Sequence, residues 1–227
     1  MMKKSAIKSK ITLAFKRFMN SNVKNDIDKI PHALNEGKLY EAFALGEVAR
    51  NIRIHEGYKL RLTPGNTLRL KSSPGKIDAS KSHVLVFDSQ YHLIAKIWTD
   101  IEFVTISYEL RQVAQKPAFG DFHELDIVVL DPNISSGRPT YKDIYLGVEC
   151  KAMEYDKSLL RQILGVRREM AFYHGHGLPN ILFKNWPGGA TNSRPSSHLI
   201  VYSNSSRVTN YSTPGQIFGI NFYYLNW

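Results

Sequence analysis

The chain has 227 residues, of which 43% are hydrophobic and 22% are charged, a composition that is ordinary for a soluble globular protein. Its single cysteine, Cys150, excludes an intramolecular disulfide and a cysteine-based zinc cluster, and no apolar stretch has the length of a membrane span. The formal net charge of +10 favours a polyanionic partner, either nucleic acid or an anionic lipid surface.

The first 35 residues are predicted to be a basic N-terminal extension, and residues 36–227 to be one domain. Seven cations precede the first acid, Asp26: Lys3, Lys4, Lys8, Lys10, Lys16, Arg17 and Lys24. Such an extension suits a polyanion. A solvated tail, a membrane-surface segment and an organelle presequence are the alternatives.

A helix is predicted over residues 36–54. Its apolar stripe consists of Leu45, Val48 and Ile52. Glu41 falls within that stripe, where a carboxylate without a partner costs free energy, so a paired or metal-bound state is one explanation. The other is that Glu41 lies in the first helical turn, where acids are favoured and partly exposed. Glu47 projects elsewhere, and an ion pair with Arg50 explains it.

The segment KLRLTPGNTLRLK, residues 59–71, alternates on both sides of a Pro-Gly-Asn turn and predicts a β-hairpin. Four cations share one face of this hairpin: Lys59, Arg61, Arg69 and Lys71. They could line a phosphate backbone, although a solvated face explains the same pattern. SHVLVFD and YHLIAKIW predict a second hairpin, and IEFVTIS a further strand.

Two strands near the middle of the chain carry the most informative polar residues. HELDIVVLDP is a strand stopped by Pro132, and it carries Asp126. DIYLGVECKAM is the next strand, and because side chains alternate along it, Glu149 and Lys151 share a face that Cys150 does not. An acid and an amine together at the end of an apolar strand indicate a polar site.

An amphipathic helix is predicted over residues 157–173, with Arg161, Gln162 and Arg168 on its outer side. The segments HLIVYSNS and QIFGINFYYL are predicted to be late strands. The element order is therefore a helix, several strands, a second helix and a further strand, which favours an α/β (α+β) fold.

The run ELDIVVLD, followed by GVECK and LLRQILGVRRE, resembles the PD-(D/E)XK, or restriction-endonuclease-like, nuclease superfamily. The resemblance covers about residues 36–205. It implies an αβββαβ core, in which a central mixed sheet is flanked by helices and the basic hairpin is an insertion. The family's proline before the aspartate is absent, since Leu125 stands there. Gln162 resembles a family glutamine, but the tyrosine that accompanies it is not at the matching place.

The resemblance implies four catalytic residues, Glu41, Asp126, Glu149 and Lys151. Mg²⁺ prefers oxygen ligands, so Asp126, Glu149 and the backbone carbonyl of Cys150 are expected to bind it, with Mn²⁺ able to substitute. Glu41 would bind a second cation or a metal-bound water. Lys151 would orient the attacking water or stabilise the phosphate as a point charge.

The expected function is a metal-dependent endonuclease that cuts phosphodiester bonds in DNA, in the cytoplasm. Arg161, Gln162 and Arg168 would face the substrate, and the basic hairpin and extension would hold its backbone. Restriction, repair, transposition and antiviral defence all fit, and a homo-oligomer or a protein partner would supply targeting. The alternatives are a catalytically inactive nucleic-acid-binding or assembly module on the same fold, an RNA-directed nuclease and a membrane-surface protein.

Overall fold

The computed structural model describes residues 4–18, 36–65, 68–71, 73–111, 116–176, 182–183, 185 and 191–226. The helices in these segments are α1 (Lys4–Phe18), α2 (Glu36–His55), α3 (Ile106–Leu110), α4 (Lys157–Met170) and α5 (Ser212–Ile217). The strands are β1 (Lys59–Thr63), β2 (Ile77–Asp78), β3 (His83–Phe87), β4 (Leu93–Val104), β5 (Phe122–Leu130), β6 (Ser136–Gly137), β7 (Ile144–Lys151), β8 (Phe172–His176), β9 (Thr191–Arg194), β10 (His198–Ser203) and β11 (Ile220–Tyr224). None of these helices is both long and apolar enough to span a bilayer.

Seven strands form a central mixed sheet in the order β1-β3-β4-β5-β7-β10-β11. Neighbouring strands from β1 to β7 are antiparallel, whereas β7, β10 and β11 run parallel. The pairs β2-β6 and β8-β9 form two small additional sheets. The α+β class and the central mixed sheet with flanking helices are as predicted.

One face of the sheet is covered by α2. The predicted apolar stripe of this helix is buried and packs in one cluster with sheet residues such as Ile97, Ile127 and Val148. Helix α1 packs on α2 through Ile11 and Phe15, so residues 4–18 are attached to the domain. The predicted domain boundary after residue 35 stays a prediction, because residues 19–35 lie outside the described part of the chain.

The other face of the sheet is covered by α4. Leu159, Ile163 and Met170 lie in its core. Gly147 on β7 allows close packing there, since a Cβ atom would lie 2.9 Å from a methyl of Leu125 and 3.1 Å from the Met170 methyl. Helix α4 ends at Met170, earlier than predicted, and the chain continues into β8.

The predicted hairpin over residues 59–71 is wrong. Strand β1 pairs with β3, placing Lys59 opposite Phe87, and residues 68–71 form no strand. Leu60 and Leu62 of β1 are buried in the core beneath α2, so long-range burial rather than the nearby turn selects the partner strand. The hairpin predicted between residues 82 and 98 is correct, and IEFVTIS contributes to the same strand, β4.

Along both β4 and β5, the core side chains change from one face of the sheet to the other at the same level. On β4, Ile97 packs on the α2 side and Ile101 on the α4 side, although an even spacing normally keeps residues on one face. On β5, Ile127 and Leu125 show the same change. Asp100 lies inside this change and has a left-handed φ of 54°. This local break in alternation directs Asp100 toward α2.

Candidate metal centre

Three carboxylates from three different elements converge between α2 and the sheet. Glu41 comes from α2, Asp100 from β4 and Asp126 from β5, and one carboxylate oxygen of each lies within 4.8 Å of the others. Glu41 is 9% exposed and Asp100 is fully buried. Acids this close repel one another unless a cation lies among them. We call this set the three-acid group.

Two hydrogen bonds fix the main chain of Asp100. Its carbonyl oxygen accepts hydrogen bonds from the Gly75 backbone N–H at 3.2 Å and from the Lys71 ammonium at 3.0 Å. Its carboxylate Oδ1 accepts from Lys38, whereas its buried Oδ2 has no hydrogen-bond partner within the described residues. A buried carboxylate oxygen in this state is costly, and it is a suitable ligand for a hard cation.

Asp126 lies where two strands separate. The first pair in the β5–β7 ladder is Ile127 with Val148, and beyond it Asp126 Oδ2 accepts the Cys150 backbone N–H at 2.6 Å. The carboxylate thus replaces the main-chain acceptor that a continued ladder would provide. Burial raises the pKa of Asp126, and the nearby Lys151 charge opposes that rise.

Lys38 lies one helical turn before Glu41 and contacts two of the three acids. Its ammonium donates to Glu41 Oε2 at 2.7 Å and to Asp100 Oδ1. Burial nevertheless raises the pKa of Glu41 to about 7, with the charges of Asp100 and Asp126 adding to the effect. The lysine therefore offsets only part of the repulsion in the three-acid group.

Glu149 and Lys151 form an ion pair at the end of β7, with 2.7 Å between Nζ and Oε2. Glu149 is only 7% exposed. Burial raises its pKa, and the negative charge of Asp126, whose carboxylate accepts the N–H of the next residue, Cys150, raises it further. The structure thus brings the three predicted β5 and β7 residues together, but the oxygens that converge within 4.8 Å are those of Glu41, Asp100 and Asp126.

Cys150 lies on the α2 side of β7, on the face opposite Glu149, where it packs against the core. Burial raises the pKa of its thiol, and the charges of Asp126 and Glu41 contribute. The group that it offers to Asp126 is its backbone N–H. Metal binding by its carbonyl stays a prediction.

Sequence reasoning missed Asp100 and Lys38, and it placed Lys71 on a basic hairpin rather than beside Asp100. An acid in the middle of the apolar strand KIWTDIEF was a usable signal for Asp100, because buried carboxylates need a partner. Lys38 precedes Glu41 by three residues on one helix, which is the spacing of an ion pair. The left-handed backbone that turns Asp100 toward α2 leaves no trace in the sequence pattern.

The residues predicted to contact nucleic acid are spread over the molecule. Arg161, Gln162 and Arg168 are exposed on α4, which covers the sheet face opposite α2. The described contacts of these three side chains do not reach the three-acid group. Their contact with substrate stays a prediction.

The four cations of the predicted hairpin also occupy different environments. On β1, the Lys59 ammonium lies 3.3 Å from the Tyr91 ring centroid, and the Arg61 guanidinium 5.1 Å from that of Phe87. Arg69 is exposed. Lys71 is half-buried and its ammonium bonds the main-chain carbonyl of Asp100, so it does not lie on a basic ribbon.

Comparison of the chain with protein-family models, with curated proteins and with solved structures found no match. The geometry of the three-acid group, with the adjacent Glu149–Lys151 pair, is therefore the basis for any functional assignment.

Proposed function

We propose that the protein is a metal-dependent nuclease that hydrolyses phosphodiester bonds in DNA, of the PD-(D/E)XK type. The observation that carries the proposal is the convergence of Glu41, Asp100 and Asp126, with one buried carboxylate oxygen left without a hydrogen bond. Oxygen donors with a net negative charge suit Mg²⁺ or Mn²⁺. The proposed cation ligands are these three acids, whereas the Glu149 carboxylate pairs with Lys151 and its binding of a cation stays a prediction.

A divalent cation in such a site neutralises charge on a phosphate and favours deprotonation of a water molecule. The chain contributes position and charge. The Asp126 carboxylate accepts the Cys150 N–H, and the Glu149 carboxylate accepts from the Lys151 ammonium. Lys151 retains 21% side-chain exposure, so its positive charge can reach a bound phosphate.

The positive charge of the chain indicates the class of substrate. The net charge of +10 and the exposed cations Arg61, Arg161 and Arg168 favour a polyanion held through its backbone. We propose DNA as that polyanion, in the cytoplasm, with targeting supplied by a second copy or by a protein partner. Restriction, repair, transposition and defence all fit this activity.

A second candidate is a nucleic-acid-binding module without catalytic activity. The position of Lys38 favours it, because an ammonium between Glu41 and Asp100 can serve as a permanent counterion. Such a module would bind DNA equally well with and without a divalent cation. An RNA-directed nuclease is the third candidate, since the acids would act on either sugar.

The direct test is cleavage of plasmid DNA and of a matched RNA with Mg²⁺, Mn²⁺ or a chelator. We expect divalent-dependent cutting of DNA, reduced at least about a hundredfold in Asp126→Asn, because a charged ligand of the proposed cation is lost. Asp78→Asn is the matched control, since Asp78 is exposed and its carboxylate accepts the Ser80 N–H in its own turn. DNA binding without cutting would favour the second candidate, and cutting of RNA alone the third.

A further inference from the structure

Lys38 and a divalent cation would need the same carboxylate oxygens. The Lys38 ammonium bonds Glu41 Oε2 at 2.7 Å and also bonds Asp100 Oδ1. Glu41 and Asp100 are two of the three acids whose oxygens converge. Lys38 therefore acts as an internal cation inside the three-acid group.

The lysine does not fill the group completely. Asp100 is fully buried, yet its Oδ2 is left without a hydrogen bond within the described residues. Asp126 is bonded to the Cys150 N–H. The Lys38 ammonium bonds two of the three carboxylates, while Lys71 and Lys151 act on Asp100 and Asp126 without bonding the converging oxygens. Asp100 Oδ2 is therefore left as an oxygen donor for a further cation.

The Lys38 side chain can also leave. It is the third residue of α2, and 16% of its side chain is exposed, so a path to solvent exists. Lysine has a flexible four-carbon chain and a strongly hydrated ammonium. Rotation about its side-chain bonds can move the ammonium into water without moving the helix.

We propose that Lys38 is a built-in competitor of the divalent cation, so that it sets the affinity of the site. Either the ammonium or the cation occupies the oxygens of Glu41 and Asp100, and cation binding requires displacement of Lys38. This inference rests on the proposed function, because it assumes that the three-acid group binds a cation.

Lys71 provides a matched control, because it also bonds Asp100. Its ammonium bonds the main-chain carbonyl of Asp100 at 3.0 Å and that of Lys76 at 3.0 Å. It bonds backbone rather than the converging carboxylate oxygens, so its removal relieves no competition. Both lysines are half-buried, which makes their substitutions comparable in size and burial.

The test is titration of the full chain with Mn²⁺ alone. Binding is measured by calorimetry and by the Mn²⁺ paramagnetic resonance signal. If the ammonium leaves the oxygens in one molecule in about ten or fewer, Lys38→Gln tightens the apparent Kd about tenfold or more. Lys38→Arg keeps the charge and leaves the Kd within about threefold of wild type. Lys71→Gln removes a charge that acts on Asp100 from a distance but vacates no carboxylate oxygen, so it tightens binding much less than Lys38→Gln.

If Lys38→Gln does not fold well enough for titration, Lys38→Met gives the same readout by removing the charge. Equal or weaker Mn²⁺ binding by both Lys38 variants, with measurable wild-type binding, overturns the competition and leaves the proposed metal site intact. Absence of Mn²⁺ binding in the wild type and in every Lys38 variant overturns both.

Discussion

Charge is buried on both faces of the sheet, and the two arrangements differ. On the α2 side, Glu41, Asp100 and Asp126 converge, and one carboxylate oxygen lacks a hydrogen bond in the described structure. On the α4 side, Arg167 is 5% exposed and donates to neutral oxygens: Phe218 O at 2.8 Å, Ser197 Oγ at 2.9 Å and Ser193 Oγ at 3.1 Å.

The difference separates a site that can exchange ions from a structural contact. Arg167 joins three segments through hydrogen bonds of defined geometry, so these bonds stabilise the fold although burial disfavours the charge. The three-acid group instead concentrates charges of one sign, which costs stability and favours a cation. Substitution on the α4 side should therefore affect unfolding, and substitution on the α2 side should affect cation binding.

The largest expected effect on stability is that of Arg167→Ala. Its loss leaves buried oxygens without donors, so we expect the free energy of unfolding to fall by about 3 kcal/mol or more. The free energy of unfolding should fall nearly as far in Arg167→Lys, because an ammonium does not reproduce the guanidinium geometry. Urea denaturation measures both.

Arg168→Ala is the control for that experiment, because the neighbouring side chain is exposed and its loss should change stability by about 0.5 kcal/mol at most. An equally small loss of stability in Arg167→Ala would show that Arg167 is not a structural contact.

The next largest effect is the pH dependence of stability that comes from His198, which lies near Arg167. Burial lowers the pKa of His198 to about 4, and the charge of Arg167 adds to this. The unfolded chain takes up the proton near pH 6.5, so stability is full above that pH and is lost as pH falls toward 4. Between pH 7 and pH 5 the loss should be about 2 kcal/mol.

Comparison of unfolding curves for wild type and His198→Asn isolates this contribution, because the carboxylates titrate in both proteins. The expected result is a smaller loss of stability in His198→Asn over that pH range. Parallel pH profiles would show that His198 is not held neutral by burial.

On the α2 side, Asp100→Asn should change stability little and Mn²⁺ affinity strongly, unlike the Arg167 variants. Asparagine tolerates the left-handed backbone at this position and removes one of three like charges. We expect the free energy of unfolding to change by about 1 kcal/mol or less. Mn²⁺ affinity should fall about tenfold or more, because a carboxylate ligand is lost.

Calorimetric titration with Mn²⁺ and urea denaturation of the same sample measure the two quantities together. A large loss of stability with unchanged Mn²⁺ affinity would make Asp100 a structural residue like Arg167.

Exposed charges give the smallest effect and extend the comparison to the surface. Arg61→Gln on β1 should weaken DNA binding about threefold to tenfold near 0.1 M salt and lower the salt slope by about 0.9. Lys142→Gln is the control, because Lys142 is paired with Glu109. Fluorescence anisotropy over a salt series measures both, and equal slopes in the two variants would exclude a phosphate contact by Arg61.

Local sequence patterns predicted the elements well. The spacing of Leu45, Val48 and Ile52 predicted a buried helix face, and alternation predicted that Glu149 and Lys151 share a face of β7. These features depend on periodicity within one element, which the sequence contains in full.

Features that depend on distant contacts were not predictable in the same way. The turn signal after β1 indicated a local hairpin, but burial of the strand selected β3 as its partner. Asp100 joined the site because a left-handed residue interrupts β4. Arg167 was missed although it follows Ile163 by four residues on α4, the spacing of the buried face.

The most direct test of the central claim is anomalous diffraction from crystals soaked in Mn²⁺. The account predicts one strong peak about 2.1 Å from oxygens of Glu41, Asp100 and Asp126, with the Lys38 ammonium displaced. A map without a peak there, and with Lys38 still bonded to Glu41 and Asp100, would contradict it.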